Sequence, residues 1–259
     1  MKHLLAVFAF LICLSSFVQA QLARDVFPFT REYKNGGIYF SPQATISFGN
    51  KKEGVLNLGV DSSYRHETTG RGKWGYGLEV GWYHTFKKSR LLDFVEGGVA
   101  FRFFQGAAEH KGNYVVNQQS IATITSDNTF KNRMGVATLR AVKVKQLRSH
   151  SFLSFAVGVN YNYSFGQSLK RSENYPNQHE TSLDKSNLQA HLQFGYGFRL
   201  NKQLLMIPTL ETPIVSVLPS SKFDPAFPFF GANYHPLIIG LKFMLIRKDP
   251  VNCNAPVLR

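Results

Sequence analysis

The stretch FLSFAVGVNYNYSF, residues 152–165, sets Leu153, Phe155, Val157, Val159, Tyr161, Tyr163 and Phe165 on alternate positions, with only Ser, Ala, Gly and Asn between them. Successive side chains of a strand point to opposite faces, so one face here is wholly apolar and the other small or polar. Two architectures reward that pattern: a soluble barrel or sandwich with the large side chains inside, and a membrane barrel with them outside.

The pattern recurs. In SNLQAHLQFGYGFRL (186–200) the even residues Leu188 to Leu200 oppose Asn187, Gln189, His191, Gln193, Gly195, Gly197 and Arg199. In IYFSPQATISF (38–48) and KWGYGLEVGWYHTF (73–86) the same alternation sets Ile38, Phe40 and Ile46, and Trp74, Tyr76, Leu78, Val80 and Trp82, on one face. Further strand candidates are 24–34, 55–66, 92–106, 133–146, 203–218 and 235–247, with no convincing helical period between them.

Segments of 11–15 residues exceed the ~5–6 of ordinary soluble strands. They suit the ~9–11 tilted residues needed to cross a bilayer. Short connections (49–53, 87–91, 147–151, 201–202) alternate with longer ones (68–73, 107–131, 167–186, 219–234). Short periplasmic turns and long external loops are the habit of outer-membrane barrels. The reading is therefore all-β: an antiparallel up-and-down transmembrane β-barrel of about ten strands, with eight as the alternative count. A soluble lipocalin-like barrel is the rival. In the membrane reading Trp74, Tyr76, Phe101, Phe103, Tyr161, Tyr163 and Phe165 fall at the outer rim, and Phe86, Tyr196, Phe198 and Phe243 at the inner one. Aliphatic residues lie between, as in an aromatic girdle.

The chain divides into three parts on this reading. Residues 1–20 (MKHLLAVFAFLICLSSFVQA) have the basic start, apolar centre and small-residue end of a cleaved secretory signal peptide. Residues 21–248 form the barrel and 249–259 a periplasmic tail containing Cys253, the one cysteine beyond the signal, which cannot form an internal disulfide. Signal, alternating Gly/aromatic strands and the segment HPLIIGLKFMLIRK together resemble the small outer-membrane β-barrel proteins common in Bacteroidota. The resemblance implies location and architecture, and no activity.

Gly70–Gly75 matches G-x-G-x-x-G but leads into a strand and not a helix, so it reads as a loop, not a dinucleotide site. No metal-ligand spacing occurs, and no cofactor or catalytic residue is assigned; His191 with Ser164 or Ser186, and His235 with Asp224, are the pairs an outer-membrane enzyme would have to use. The lumen set is Asp61, Arg65, Glu79, Glu96, Arg102, His191, Gln193, Arg199 and Lys242. Charges of both signs in a narrow lumen imply an internal network, and the excess of bases would bias any open path toward anions.

The formal charge is +14. The short turns account for much of it through Lys51, Lys52, Lys87, Lys88, Arg90, Arg148, Lys202, Arg247 and Lys248, a basic periplasmic rim. Such a rim fits anionic outer-membrane lipid headgroups, or an acidic periplasmic or envelope protein; nucleic acid is not an expected partner. The expected role is structural or interaction-based with a filled polar lumen; a narrow channel for small solutes is the alternative, and a lipid- or peptide-modifying enzyme the third. The loop segment YVVNQQSIATITS alternates like a strand and suits a hairpin raised above the membrane.

Overall fold

Nine antiparallel strands follow one another in the computed structural model, which describes residues 33–47, 51–57, 59, 61–86, 91–117, 119–148, 150–170, 185–218 and 236–247. They are β1 (Gly36–Ser47), β2 (Lys51–Asn57), β3 (Ser62–Thr85), β4 (Phe94–Val116), β5 (Gln119–Arg148), β6 (Ser151–Lys170), β7 (Ser186–Arg199), β8 (Leu204–Leu218) and β9 (Pro236–Leu245). The sheet order is β1-β9-β8-β7-β6-β5-β4-β3-β2, and β1 also pairs with β3. That pairing, from Gly36↔His84 to Ile46↔Trp74, closes a ring of eight strands. An eight-stranded ring is just wide enough for side chains to fill.

The count of about ten gives way to the alternative of eight for a definite reason. β1 pairs with the 74–84 half of β3, and β2 continues in the same direction along the 63–69 half. Lys51–Glu53 thus belong to a strand and not to a turn, β1 and β2 both ascend along β3, and the chain reverses between Asn57 and Ser62. Residues 68–73 are not a loop either; the whole Gly70–Gly75 motif lies inside β3. Strand candidate 24–34 falls mostly outside the described residues, as do the signal segment 1–20 and the tail 249–259. The segment 38–48, expected to descend to a turn at 49–53, instead ascends as β1, and Ser62–His66, expected on an ascending strand, descend within β3; from β4 onward the strands run as expected.

The ends differ. Connections 86–93, 149–150 and 200–203 are short and share one end with Tyr33 and Arg247; Lys34 N–H donates to the Arg247 carbonyl at 2.8 Å. On the orientation expected from the sequence this is the inner end. At the outer end β2 to β6 run past the ring as a blade. The thirty residues of β5 would reach about 100 Å at ~3.4 Å each. Residues 107–131, expected as a loop, form the upper β4–β5 hairpin, turned at Asn117, whose φ of 50° is left-handed. Asn tolerates that region better than most residues.

Outward, the apolar face of 152–165 is exposed: Val157 59%, Tyr163 47%, Phe165 57%. Leu78, Val80, Val99, Leu139, Val159 and Ile239 continue the exposed aliphatic zone around the ring. Aromatic contacts border it on both sides: Tyr76–Phe103 (5.2 Å between centroids) and Phe101–Phe165 (5.9 Å) above, Phe40–Phe243 (4.9 Å) and Phe155–Phe194 (4.0 Å) below. A contiguous exposed apolar surface this large is a lipid-facing surface in a closed barrel. Along 153–165 the large side chains point out and Ser154, Ala156, Asn160, Asn162 and Ser164 point in, the reverse of what a soluble barrel would require.

Candidate functional site

Two features lie where chemistry could reside: the filled lumen and the outer blade. In the lumen, Glu79 of β3, Glu96 and Arg102 of β4, Arg140 of β5, Glu211 of β8 and Lys242 of β9 all point inward and are buried. Arg140 is the hub. Its guanidinium donates to both oxygens of Glu79 (2.6 and 3.0 Å), to Glu211 Oε2 (2.8 Å) and to His191 Nε2 (3.1 Å). Arg102 meets Glu211 Oε1 at 3.1 Å and Gln43 Oε1 at 3.0 Å, while Lys242 donates to Glu96 Oε2 at 2.5 Å and to Gln193 Oε1 at 3.1 Å. Tyr39 and Gln43 donate further to Glu79, and Asn160 to Glu211; Glu96 accepts through Oε2 alone, its buried Oε1 having no hydrogen-bond partner among the described residues.

Three acids face three bases, so the network is neutral and the expected anionic bias has no basis in the lumen. Burial of so much charge is tolerable only when the ions are paired: Arg140 holds Glu79 bidentately and also meets Glu211, Arg102 meets Glu211, and Lys242 meets Glu96. Because His191 Nε2 accepts the Arg140 N–H, its ring proton sits on Nδ1 and the ring is neutral.

Room for these long side chains comes from glycines. A Cβ at Gly81 would lie 2.6 Å from the Tyr39 hydroxyl, and one at Gly98 2.5 Å from it. Tyr39 can lie over these positions and reach Glu79 on the neighbouring strand only because both lack one. Below the network, Tyr83, Phe94, Val142, Val144, Phe152, Leu205, Ile207 and Met244 form an apolar cluster that fills the inner half. Above it lies a cavity of about 20 Å³ beside Arg102, Asn160, Asn162 and Gln189, enough for about one water.

Of the lumen set read from sequence, Glu79, Glu96, Arg102, His191, Gln193 and Lys242 meet in this network. Asp61 and Arg65 do not; both are exposed on the blade. The cause is a β-bulge between Lys73 and Tyr76 of β3, which inverts the inward parity above it. Below the bulge odd residues such as Glu79 point in, and above it Tyr64 does. Arg199 faces inward but at the mouth, where it donates to the Asn201 and Lys202 carbonyls and to the Tyr33 hydroxyl (2.6 Å). It ties the 200–203 turn and is not part of the network.

The basic rim is also smaller than expected. Lys51 and Lys52 lie on β2 at the opposite end, where Lys51 bridges Glu53 (3.0 Å) and Glu67 (3.1 Å). Arg148, Lys202 and Arg247 are exposed at the inner end. Lys87, Lys88, Arg90 and Lys248 are outside the described residues, as are His235 and Asp224. Nor does the sheet bring His191 to Ser164: His191 is opposite Gly158, six residues or about 20 Å down β6 from Ser164. Ser186 is opposite Tyr163, five residues up β7 from His191, about 17 Å away.

The blade carries an inward cluster that sequence reading did not single out. Tyr64 shares a 2.7 Å hydrogen bond with His110 Nε2 and packs on Tyr114 (4.7 Å), with the His66 ring 5.9 Å from that of His110. Burial raises the Tyr64 hydroxyl pKa and lowers that of His66 below its ordinary 6.5. With the folded His66 pKa depressed, the unfolded blade binds more protons as pH falls through about 6.5. The blade should therefore lose stability on acidification and regain it above that range. An NMR titration should place the His66 ring midpoint below 6.5, and Gln at this position should flatten the His66 contribution to hydrogen-exchange protection.

No protein-family model matches the sequence, and no curated protein matches it. Among solved structures the chain is similar to the outer membrane protein OprG of Pseudomonas aeruginosa, at 13% identity and a TM-score of 0.43, over 84% of this chain and 96% of that one. It is also similar to the translocator domain of the autotransporter NalP from Neisseria meningitidis (9%, TM-score 0.28, 94% and 95% covered). The transport unit of the autotransporter AIDA-I from Escherichia coli gives 9% and 0.24, with 91% and 96% covered. At these scores the likenesses decide nothing about role, and the assignment rests on the strand pairing and the exposed belt.

Proposed function

We propose that this chain is a non-conducting outer-membrane β-barrel with a structural or interaction role, presenting the β2–β6 blade outside the membrane. The lipid-facing belt and the signal-like segment 1–20 support that location, since closed barrels are the form in which exported strands cross a membrane. The observation carrying the non-conducting reading is the neutral, fully buried network of Glu79, Glu96, Glu211, Arg102, Arg140 and Lys242 above an apolar plug. Moving an ion through it would require breaking charge-assisted hydrogen bonds in low dielectric. Barrels with aqueous channels have ~16–18 strands.

The test is single-channel recording of the folded protein in a planar bilayer, with a heat-dependent gel-mobility shift as proof of folding. A folded barrel should be silent. Discrete, reproducible current steps would replace this reading with that of a narrow channel, and make Arg102 and Lys242 the first residues to change.

A further inference from the structure

Just above the outer aromatic band, the outward faces of β3, β5 and β6 carry Arg71, Lys73, Lys131, Arg133 and Lys170, all exposed. The registers set them side by side. One row across the sheet is Lys73–Gln105–Lys131–Ser168, the row above is Arg71–Ala107–Thr129–Lys170, and Arg133 lies opposite Phe103 below. At ~4.8 Å between strands and ~6.8 Å between same-face residues, five cations share a patch of about 15 by 14 Å. Only Arg71 has an acidic partner among the described residues, Glu109 at 3.4 Å on the patch's upper edge.

Like charges gathered on one face cost stability unless something compensates them. Two local features aim this patch at the membrane surface. The β3 bulge turns the consecutive residues Lys73 and Trp74 to the same outward face, and Trp74 is 58% exposed. Arg133 lays its stem over Gly166, where a Cβ would approach its Cδ at 3.3 Å, next to exposed Phe165. Apolar ring below and cation above is the profile of a bilayer interface. Level with the aromatic band, the described outward residues of β1, β7, β8 and β9 are Ile46, Leu188, Ile214 and Leu237, and exposed Lys185 lies above Leu188, just before β7.

We infer that the outward patch on β3, β5 and β6 binds the phosphorylated headgroup of an acylated glycolipid of the outer leaflet, whose acyl chains lie on Trp74, Tyr76, Phe103 and Phe165. The inference rests on the outer-membrane placement proposed above. Clustered cations supply multiple charge-assisted bonds to phosphate oxygens, and the adjoining aromatic band supplies an apolar bed that soluble phosphate cannot use. A lipid with both parts fits; a free anion meets only half of the site.

The experiment uses the full barrel in detergent and bisphosphorylated lipid A as the probe. Expected is saturable binding that weakens at least tenfold in the triple variant Lys73→Gln, Lys131→Gln, Arg133→Gln. Binding should be unchanged in the inner-end variant Arg148→Gln, Lys202→Gln. All proteins should show the same heat-dependent gel shift. Equal affinity for dephosphorylated lipid A, or for vesicles of phosphatidylglycerol, would overturn the assignment, as would complete displacement by inorganic phosphate. A folded, membrane-embedded barrel that ignores the lipid sinks this inference alone; a chain that does not partition into membranes sinks the placement beneath it.

Discussion

Replacing Arg140 by Met should cost about 3–5 kcal/mol, the usual loss on breaking a buried ion pair, and should abolish the heat-resistant barrel under conditions where the native chain keeps it. Arg140 has no exposed side-chain surface and touches all three lumen carboxylates: Glu79 at 2.6 Å, Glu211 at 2.8 Å and Glu96 at 3.5 Å. Its removal leaves three acids facing only Arg102 and Lys242, so one negative charge is uncompensated in low dielectric. It also strands the Nε2 of His191 without a donor. Arg140→Lys should recover part of the loss, because one ammonium keeps the charge but cannot hold both Glu79 oxygens and reach His191. Adding Glu79→Gln to Arg140→Met restores neutrality and should return a substantial fraction of the stability. Urea unfolding in detergent micelles of the native chain, Arg140→Met, Glu79→Gln and the double variant measures the coupling. Additive losses would show that the network is not a unit.

The same network explains which parts of the molecule could be read from sequence. The two-residue period located nearly every ring strand and gave the correct outward face for β1, the lower half of β3, β6, β7 and β9, because lipid rewards large apolar side chains all the way along that face. The inward face has no such uniformity. It is polar at mid-height and apolar at the inner end, so on β5 it runs Val136, Thr138, Arg140, Val142, Val144 while the outer face carries Lys143 and Lys145. The two faces then look alike in hydrophobicity, and the hub residue Arg140 was not identifiable. Glu211 was hidden in the same way, on a strand interrupted by Pro208 and Pro213 and bulged near His191.

Parity fails at bulges for a different reason. One extra residue near Lys73 inverts every facing on its outer side, which puts Asp61 and Arg65 on the blade surface. Nothing in the glycine-rich motif shows whether its backbone bulges, turns or loops; β4 and β1 closing around it decide that. A Cβ at Gly72 would run into the Ser47 carbonyl, where β1 passes across it. The break between β1 and β2 looked like a turn because GNKKE has turn composition, whereas pairing with both halves of β3 keeps the chain on course.

Arginine in place of Val157 is the second large effect, and it distinguishes the two architectures that the opening alternation allowed. Val157 is 59% exposed, with Val159 beyond it and the aromatic bands above and below. On a soluble barrel such a substitution adds a solvated charge to the surface and should change stability by no more than about 0.5 kcal/mol. At the middle of a bilayer it should cost about 2–4 kcal/mol, and the cost should fall to about 0–1 kcal/mol for arginine at Tyr163 in the interfacial band. Arginine at Thr123, exposed on the blade, should cost nothing measurable. Urea titrations of the barrel folded into lipid vesicles, followed by the fluorescence of Trp74 and Trp82, give the three values. A cost that depends on depth requires a hydrocarbon layer centred on Val157; equal, small costs at all three positions would mean that the apolar face meets water or protein and that the chain is not a membrane barrel.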